Sequence, residues 1–301
     1  MTTLNYLVNQ VTSRALSGMR EEEAELYQDM DDQVEIVHLP PGIPRRSMEP
    51  GATIQVDYEL MRIISILDPA TLSVERALLN SVATAHAAGA TIVVNPRFPA
   101  VDVVSAINED IDDLSAPTNG LFQMQTATVI FNPAVTGYDL GVPPGQVIEA
   151  WEVRAWDYGS QQAWPLIAPT YWKLDMGADP KVFPSGVSIK IYRDAFPGRP
   201  VRIQYKAPYS TPLVDPTDDV ELTTGLHSQA HDIPVLGAAY RLMQFREIKR
   251  TFTEAQGEPR RASEVPVGSS LTGLKGIQAH RTDRINAERE RLNKIYKRAR
   301  R

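Results

Sequence analysis

The sequence predicts an α+β protein: N-terminal helices, a small mixed β unit, an antiparallel β-sandwich, and a helical C-terminal region closing on a basic helix. Three observations predict it. Apolar residues recur at three- and four-residue steps near the N-terminus, strand-length runs alternate with turn residues between 121 and 209, and the charge reverses sign near the end. Residues 241–301 hold 16 Lys+Arg against 7 Asp+Glu, net +9, whereas the preceding 240 residues hold 15 against 30, net −15. A globular body with a charged helical arm is the pattern of a part that docks into something larger.

The elements follow in order, over four segments: 1–32, 33–120, 121–210 and 211–301. Residues 3–31 read as helix, with Leu4, Leu7, Val8, Val11, Ala15, Leu16 and Met19 on one stripe. Ser17-Gly18 breaks it, and Glu21-Glu22-Glu23 opens a second helix containing Leu26, Tyr27 and Met30, acid suiting the positive end of a helix dipole. Strands are expected at 33–39, 52–56, 61–67 and 91–95, with the Pro-rich stretch Pro40–Arg46 as a connection. Helical spacing returns over 101–114 through Val104, Ile107, Ile111 and Leu114. Strands at 125–132, 147–156, 171–176, 187–193 and 201–206, parted by Pro, Gly and Asn, argue for the sandwich. A helix then starts at Asp232, with Pro234 in its first turn, and a polar stretch over 255–273 leads to the terminal helix.

Composition excludes several classes of function. The chain has no Cys, so there is no disulfide framework, thiolate metal site or cysteine nucleophile, and a reducing cytosol suits its manufacture. No apolar run reaches the length that spans a bilayer, and the first ten residues lack a secretory pattern, so no membrane association is expected. His227 and His231 stand at i and i+4, but Asp232-Ile-Pro places the helix start after them, and no third ligand accompanies them; no metal or cofactor is expected. Asp29–Asp32 and Glu109–Asp113 lack the Gly and Glu of an EF-hand and read as solvated helix faces. There is no phosphate-cradling Gly loop and no Gly-x-Ser-x-Gly elbow, so the chain is not read as an enzyme.

Two features invite partners. Trp151, Trp156, Trp164 and Trp172 fall within 22 residues of the sandwich; core packing is the favoured account, and sugar stacking on exposed rings the rival. The terminal helix mixes Arg and Lys with interleaved acids and an apolar side made by Ile285, Leu292, Ile295 and Tyr296. That mixture favours docking on protein, with non-specific contact to DNA phosphates second. Arg284, Arg289, Arg291, Leu292, Lys294, Ile295 and Tyr296 are the expected docking residues. A truncation at about residue 280 is expected to fold yet fail to assemble.

Short motifs along most of the chain carry a resemblance. They are Glu59-Leu-Met-Arg-Ile-Ile-Ser-Ile, Val74-Glu-Arg76, Thr84-Ala-His86, Gly89, Ile92-Val-Val-Asn-Pro-Arg-Phe-Pro99, Ala106-Ile-Asn-Glu109 and Gly120-Leu-Phe. Asp232-Ile-Pro234, Gly237-Ala-Ala-Tyr-Arg-Leu242, Val265-Pro-Val-Gly268 and Glu290-Arg-Leu-Asn-Lys-Ile-Tyr296 continue it. Together they resemble structural proteins of tailed bacteriophages placed at the head–tail junction, the neck or portal-adaptor type of connector. The resemblance implies a homo-oligomeric ring in the virion, assembled in the host cytoplasm, with portal and tail or neck proteins as partners and viral DNA passing through. It implies no catalytic residue. A baseplate or tail-tip protein with a carbohydrate-binding sandwich is the alternative. Relatives of that type tend to carry Gly after the Arg of Val-x-Arg and Gly-Thr ahead of the His, where Ala77 and Ala83 stand here. Glycine tolerates backbone angles that alanine disfavours, so the loop over 77–84 is expected to be shaped differently, as a helical turn.

Overall fold

Why the chain begins as a helix is visible in what its first residues bury. Helix α1 (Leu4–Leu16) sinks Leu4, Leu7, Val8 and Val11, the predicted stripe, and packs on α4 (Asp232–Glu254). Its start is tied down by backbone hydrogen bonds from Leu4 N to Asp218 O (3.0 Å) and from Val220 N to Thr2 O (3.0 Å). The computed structural model describes residues 2–16, 21–42, 47–156, 164–193, 195–254 and 269–296. The expected break at Ser17-Gly18 and most of the polar stretch over 255–273 lie outside the described residues.

The chain divides into two units, Met1–Ile111 with Thr211–Arg284, and Asp112–Ser210 with Ile285–Arg301. The first holds a six-stranded, wholly antiparallel sheet. Its strands are β1 (Glu22–Glu25), β2 (Ile36–His38), β3 (Thr53–Val56), β4 (Glu59–Asp68), β5 (Thr71–Glu75) and β6 (Thr91–Val94), in the order β1-β6-β3-β4-β5-β2. Ala24, Leu26, Val37, Ile54, Val56, Ile63, Leu72, Val74, Ile92 and Val94 form the core beneath it, at alternate positions along each strand. Helix α2 (Ala100–Leu114) follows β6 and buries Val103, Ala106, Ile107 and Ile111.

Here the expectation of a second helix from Glu21 is corrected. Glu22–Glu25 is an edge strand, paired in register from Glu22 with Val94 to Glu25 with Thr91. Strand pairing puts Ala24 and Leu26 into the core, a gain that outweighs the helix preference of a Glu-rich run. The strand β5 was not anticipated: Thr71-Leu-Ser-Val-Glu75 alternates cleanly, but it is only five residues long and follows β4 after a two-residue turn.

The second unit is the expected sandwich. One sheet has β7 (Gln123–Ile130), β9 (Glu149–Ala155), β10 (Leu166–Ile167) and β13 (Pro200–Ala207) in the order β10-β9-β13-β7; the other has β8 (Tyr138–Asp139), β11 (Trp172–Asp175) and β12 (Ser188–Ile191) in the order β11-β12-β8. Val153, Ile167, Ile189, Ile191, Val201, Ile203 and Tyr205 from both sheets share one core. Strands β8 and β10, two residues each, are too short for any alternation to declare them. Helix α3 (Val220–Thr224) is a single turn capped by the Asp219 carboxylate, and α5 (Ser269–Ile295) is the terminal helix.

Candidate functional site

The motifs of the first unit converge on one buried carboxylate. Glu59 opens β4 and is 1% exposed. Arg76, just past the end of β5, reaches it with Nε (2.8 Å to Oε1) and Nη2 (2.5 Å to Oε2). The backbone N–H groups of Ala77 (3.3 Å) and Thr84 (3.1 Å) donate to the same carboxylate. His86 completes it: Nε2 lies 2.9 Å from Glu59 Oε2 and Nδ1 2.8 Å from Asp57 Oδ2. Ionised carboxylates only accept hydrogen bonds, so a ring with a carboxylate at each nitrogen is held as the doubly protonated imidazolium.

The electrostatics agree with that geometry. Burial opposes ionisation of Glu59, but hydrogen bonds from Arg76, His86 and the Thr84 N–H outweigh it and hold its carboxyl at about 2, down from 4.5. Burial pulls His86 down, and its hydrogen bonds to Glu59 and Asp57 more than reverse this, raising it above the ordinary 6.5. Arg76 spends its other donors on the carbonyls of Asp31, Val34 (3.2 Å) and Thr84 (2.6 Å).

This clasp holds a loop in an expensive conformation. Ala77 (φ 56°), Leu79 (φ 51°) and Asn80 (φ 64°) are all left-handed, so the alanine at 77 takes the backbone angle it was expected to avoid. The expected helical turn is corrected to a short 3₁₀ turn at Leu78–Asn80 with non-helical Leu79 inside it. Ser81 pins the far side through Leu60 N (3.1 Å), and Leu79 and Val82 project outward, 64% and 65% exposed. Beside the clasp, Asp57 and Thr84 help line an open cleft of about 880 Å³ between α1 and the sheet.

A second buried carboxylate organises the helices of this unit. Asp110 is 1% exposed and receives Arg281 (2.9 Å) and Arg241 (3.6 Å). Gly237 of α4 lies so close that an added Cβ would overlap the Asp110 carboxylate, which explains a glycine inside a helix. The reading of solvated helix faces holds for Glu109 and Asp112 of α2 but is corrected for Asp110, which is buried and paired. Asp29, Asp31 and Asp32 are exposed as expected but not helical; Asp31 accepts from Gln33 N and Val34 N in a turn, and Asp29 accepts from the distant Ala88 N.

The expected docking residues separate into two groups. Arg284 forks onto Asp232 (2.6 and 2.9 Å) and reaches Gln229 O. Arg291 forks onto buried Glu288 (2.8 and 2.6 Å), Arg289 bonds Asn286 (2.6 Å), Leu292 is buried, and Tyr296 packs on Phe122 with ring centroids 6.0 Å apart. Lys294 and Ile295 are exposed. The expectation that a chain cut at about residue 280 folds is corrected accordingly: the cut removes Arg281 from Asp110 and deletes buried Ile285 and Leu292.

His227 Nδ1 accepts from Gln229 N (3.2 Å), and His231 Nε2 donates to Leu226 O (2.9 Å), so both serve the turn leading into α4. Among the tryptophans only Trp172 packs against the sandwich core. Trp156 and Trp164 meet edge to face at 5.3 Å, Arg202 lies 3.8 Å over Trp164, and Lys206 Nζ sits 4.4 Å over Trp151; the core-filling account fails for these three, which are only partly buried. Sequence reasoning quoted Glu59, Arg76 and His86 as motif residues without seeing that they meet. No protein-family model and no curated protein matches the chain.

Proposed function

We propose that the protein is a structural connector of a tailed bacteriophage, a repeated subunit of a ring between portal and tail around the DNA channel. One observation carries this reading. The charged residues of the motifs that resemble neck proteins are spent on the protein's own backbone and helices: Glu59, Arg76 and His86 on the loop over 77–84, and Asp232 on Arg284. Residues used so are scaffolding, and a chain recognisable by its scaffold is a building block. A net charge of −15 over the first 240 residues suits a wall past which DNA slides without sticking. A closed ring from one sequence needs two different complementary faces on each subunit, which the opposite charges of body and C-terminal arm supply.

Quantitative mass spectrometry of purified particles tests this. The chain is expected at a fixed multi-copy ratio to the portal protein; its absence from particles would overturn the reading. The tail-tip alternative has one observation in its favour, the partly buried tryptophans of the sandwich. Arg202, however, covers a face of Trp164 where a sugar would stack, so host polysaccharide is expected to leave the tryptophan fluorescence unchanged.

A further inference from the structure

The cleft of the first unit has two walls of different character. One is the side of α1 that carries Asn5, Asn9 and Thr12. The other is the non-core face of the sheet, where register places Glu23, Val93 and Gln55 in one row across β1, β6 and β3. Glu21 and Asp57 add two more carboxylates, and Tyr58 and Phe98 add rings. Glu23 is exposed, and the Asp57 side chain is 60% exposed although one oxygen holds His86. No Lys or Arg side chain lines the cleft among the described residues. Helix face and sheet face are thus left apart, with negative charge, amide groups and two aromatic surfaces between them.

The C-terminal end of the chain has the complementary chemistry. Lys294-Ile-Tyr-Lys-Arg-Ala-Arg-Arg301 carries five cations and no acid. We infer that the cleft between α1 and the six-stranded sheet receives the basic C-terminal segment of a second copy of this chain. Carboxylates pair with Arg and Lys, Tyr58 and Phe98 offer ring faces to guanidinium groups, and the amides of Asn5 and Asn9 suit an arm's backbone, whereas Gln55 is held by Asp57 O and Ala100 N. The cleft volume, about 880 Å³, is that of a full-sized binding site rather than a surface dimple. This inference rests on the ring reading and names its heterologous contact.

The absence of cysteine in the natural chain gives a clean test. Full-length Glu23→Cys and full-length Arg298→Cys are mixed in equal amounts and oxidised, so that any disulfide joining the two positions must be intermolecular. Leu67→Cys, 57% exposed on β4, replaces Glu23→Cys as the control. Docking raises the local thiol concentration from about 10 μM to about 1 mM, so the Glu23–Arg298 pair is expected to form on the order of 100-fold faster than the control pair. Rates equal to the control would overturn the proposal. A disulfide that forms only when both substitutions share one chain would also overturn it, showing an arm folded back on itself. Binding to the portal without the cross-link sinks this contact alone, and the cross-link without portal binding sinks the connector reading instead.

Discussion

The clasp of the first unit and the sandwich core of the second are held in opposite ways, although the second unit also buries Glu152 and Glu288 against arginines. In the first, charge goes inside: Glu59 and Asp110 are 1% exposed, each facing arginine. In the second, the interior of the sandwich is aliphatic and aromatic, and cations sit over rings, Arg202 on the partly buried Trp164 and Lys206 between partly buried Trp151 and buried Phe122. The difference follows from what must be held. Sandwich strands satisfy their own backbone by pairing, so apolar burial suffices. The loop over 77–84 has left-handed residues and N–H groups with no strand partner, and a buried carboxylate supplies the missing acceptors. Such networks are costly to assemble and costlier to break.

The strongest way to break the contrast is to remove the centre of the clasp. Glu59→Ala leaves Arg76 and His86 buried without their partner and is expected to cost about 3–5 kcal/mol. Chemical denaturation measures the loss, and an unchanged midpoint would contradict the clasp. In the sandwich, Ile203→Ala is expected to cost about 2–5 kcal/mol through a cavity alone, with no change in pH dependence. Gly237→Ala drives a methyl into Asp110 and is expected to cost about 1–3 kcal/mol, relieved when Asp110 is also shortened.

The pH dependence sharpens the comparison further. His86 is raised in the folded state, so its contribution is complete below the ordinary 6.5 and is lost as pH climbs through the folded value. Glu59 is lowered to about 2, so its contribution is complete above 4.5 and is lost as pH falls toward 2. The first unit is therefore expected to be most stable between these limits, and His86→Gln to abolish the decline on the alkaline side; thermal melts across pH, with and without the substitution, check both. The smallest expected effect is a gain. Ala77→Gly relieves a left-handed alanine and is expected to stabilise by about 1 kcal/mol.

Legibility in the sequence tracked the range of the interactions. Helices α1 and α2 and the long strands β7, β9 and β13 declare themselves by local periodicity, and they stand where spacing placed them within a few residues. Strand β1 did not, because its identity depends on pairing with β6 nearly seventy residues later, and its local composition speaks for helix. The clasp was visible only as separate motif fragments. Glu59, Arg76 and His86 are brought together by the β4–β5 hairpin and by the bridge from Met30 to His86, a register that no local pattern encodes. Likewise Arg284 and Leu292 looked like free docking groups, since nothing in their spacing reveals Asp232 or a buried site waiting for them. The partner of Arg291, Glu288, stands three residues earlier on the same helix and was legible as one of the interleaved acids.

The proposed connector role is tested most directly by electron microscopy of the purified full-length chain mixed with the portal protein that this proposal assigns to it as partner. A connector predicts a closed ring stacked coaxially on the portal, with one symmetry in the class averages. A chain that stays monomeric and leaves the portal bare would contradict the account.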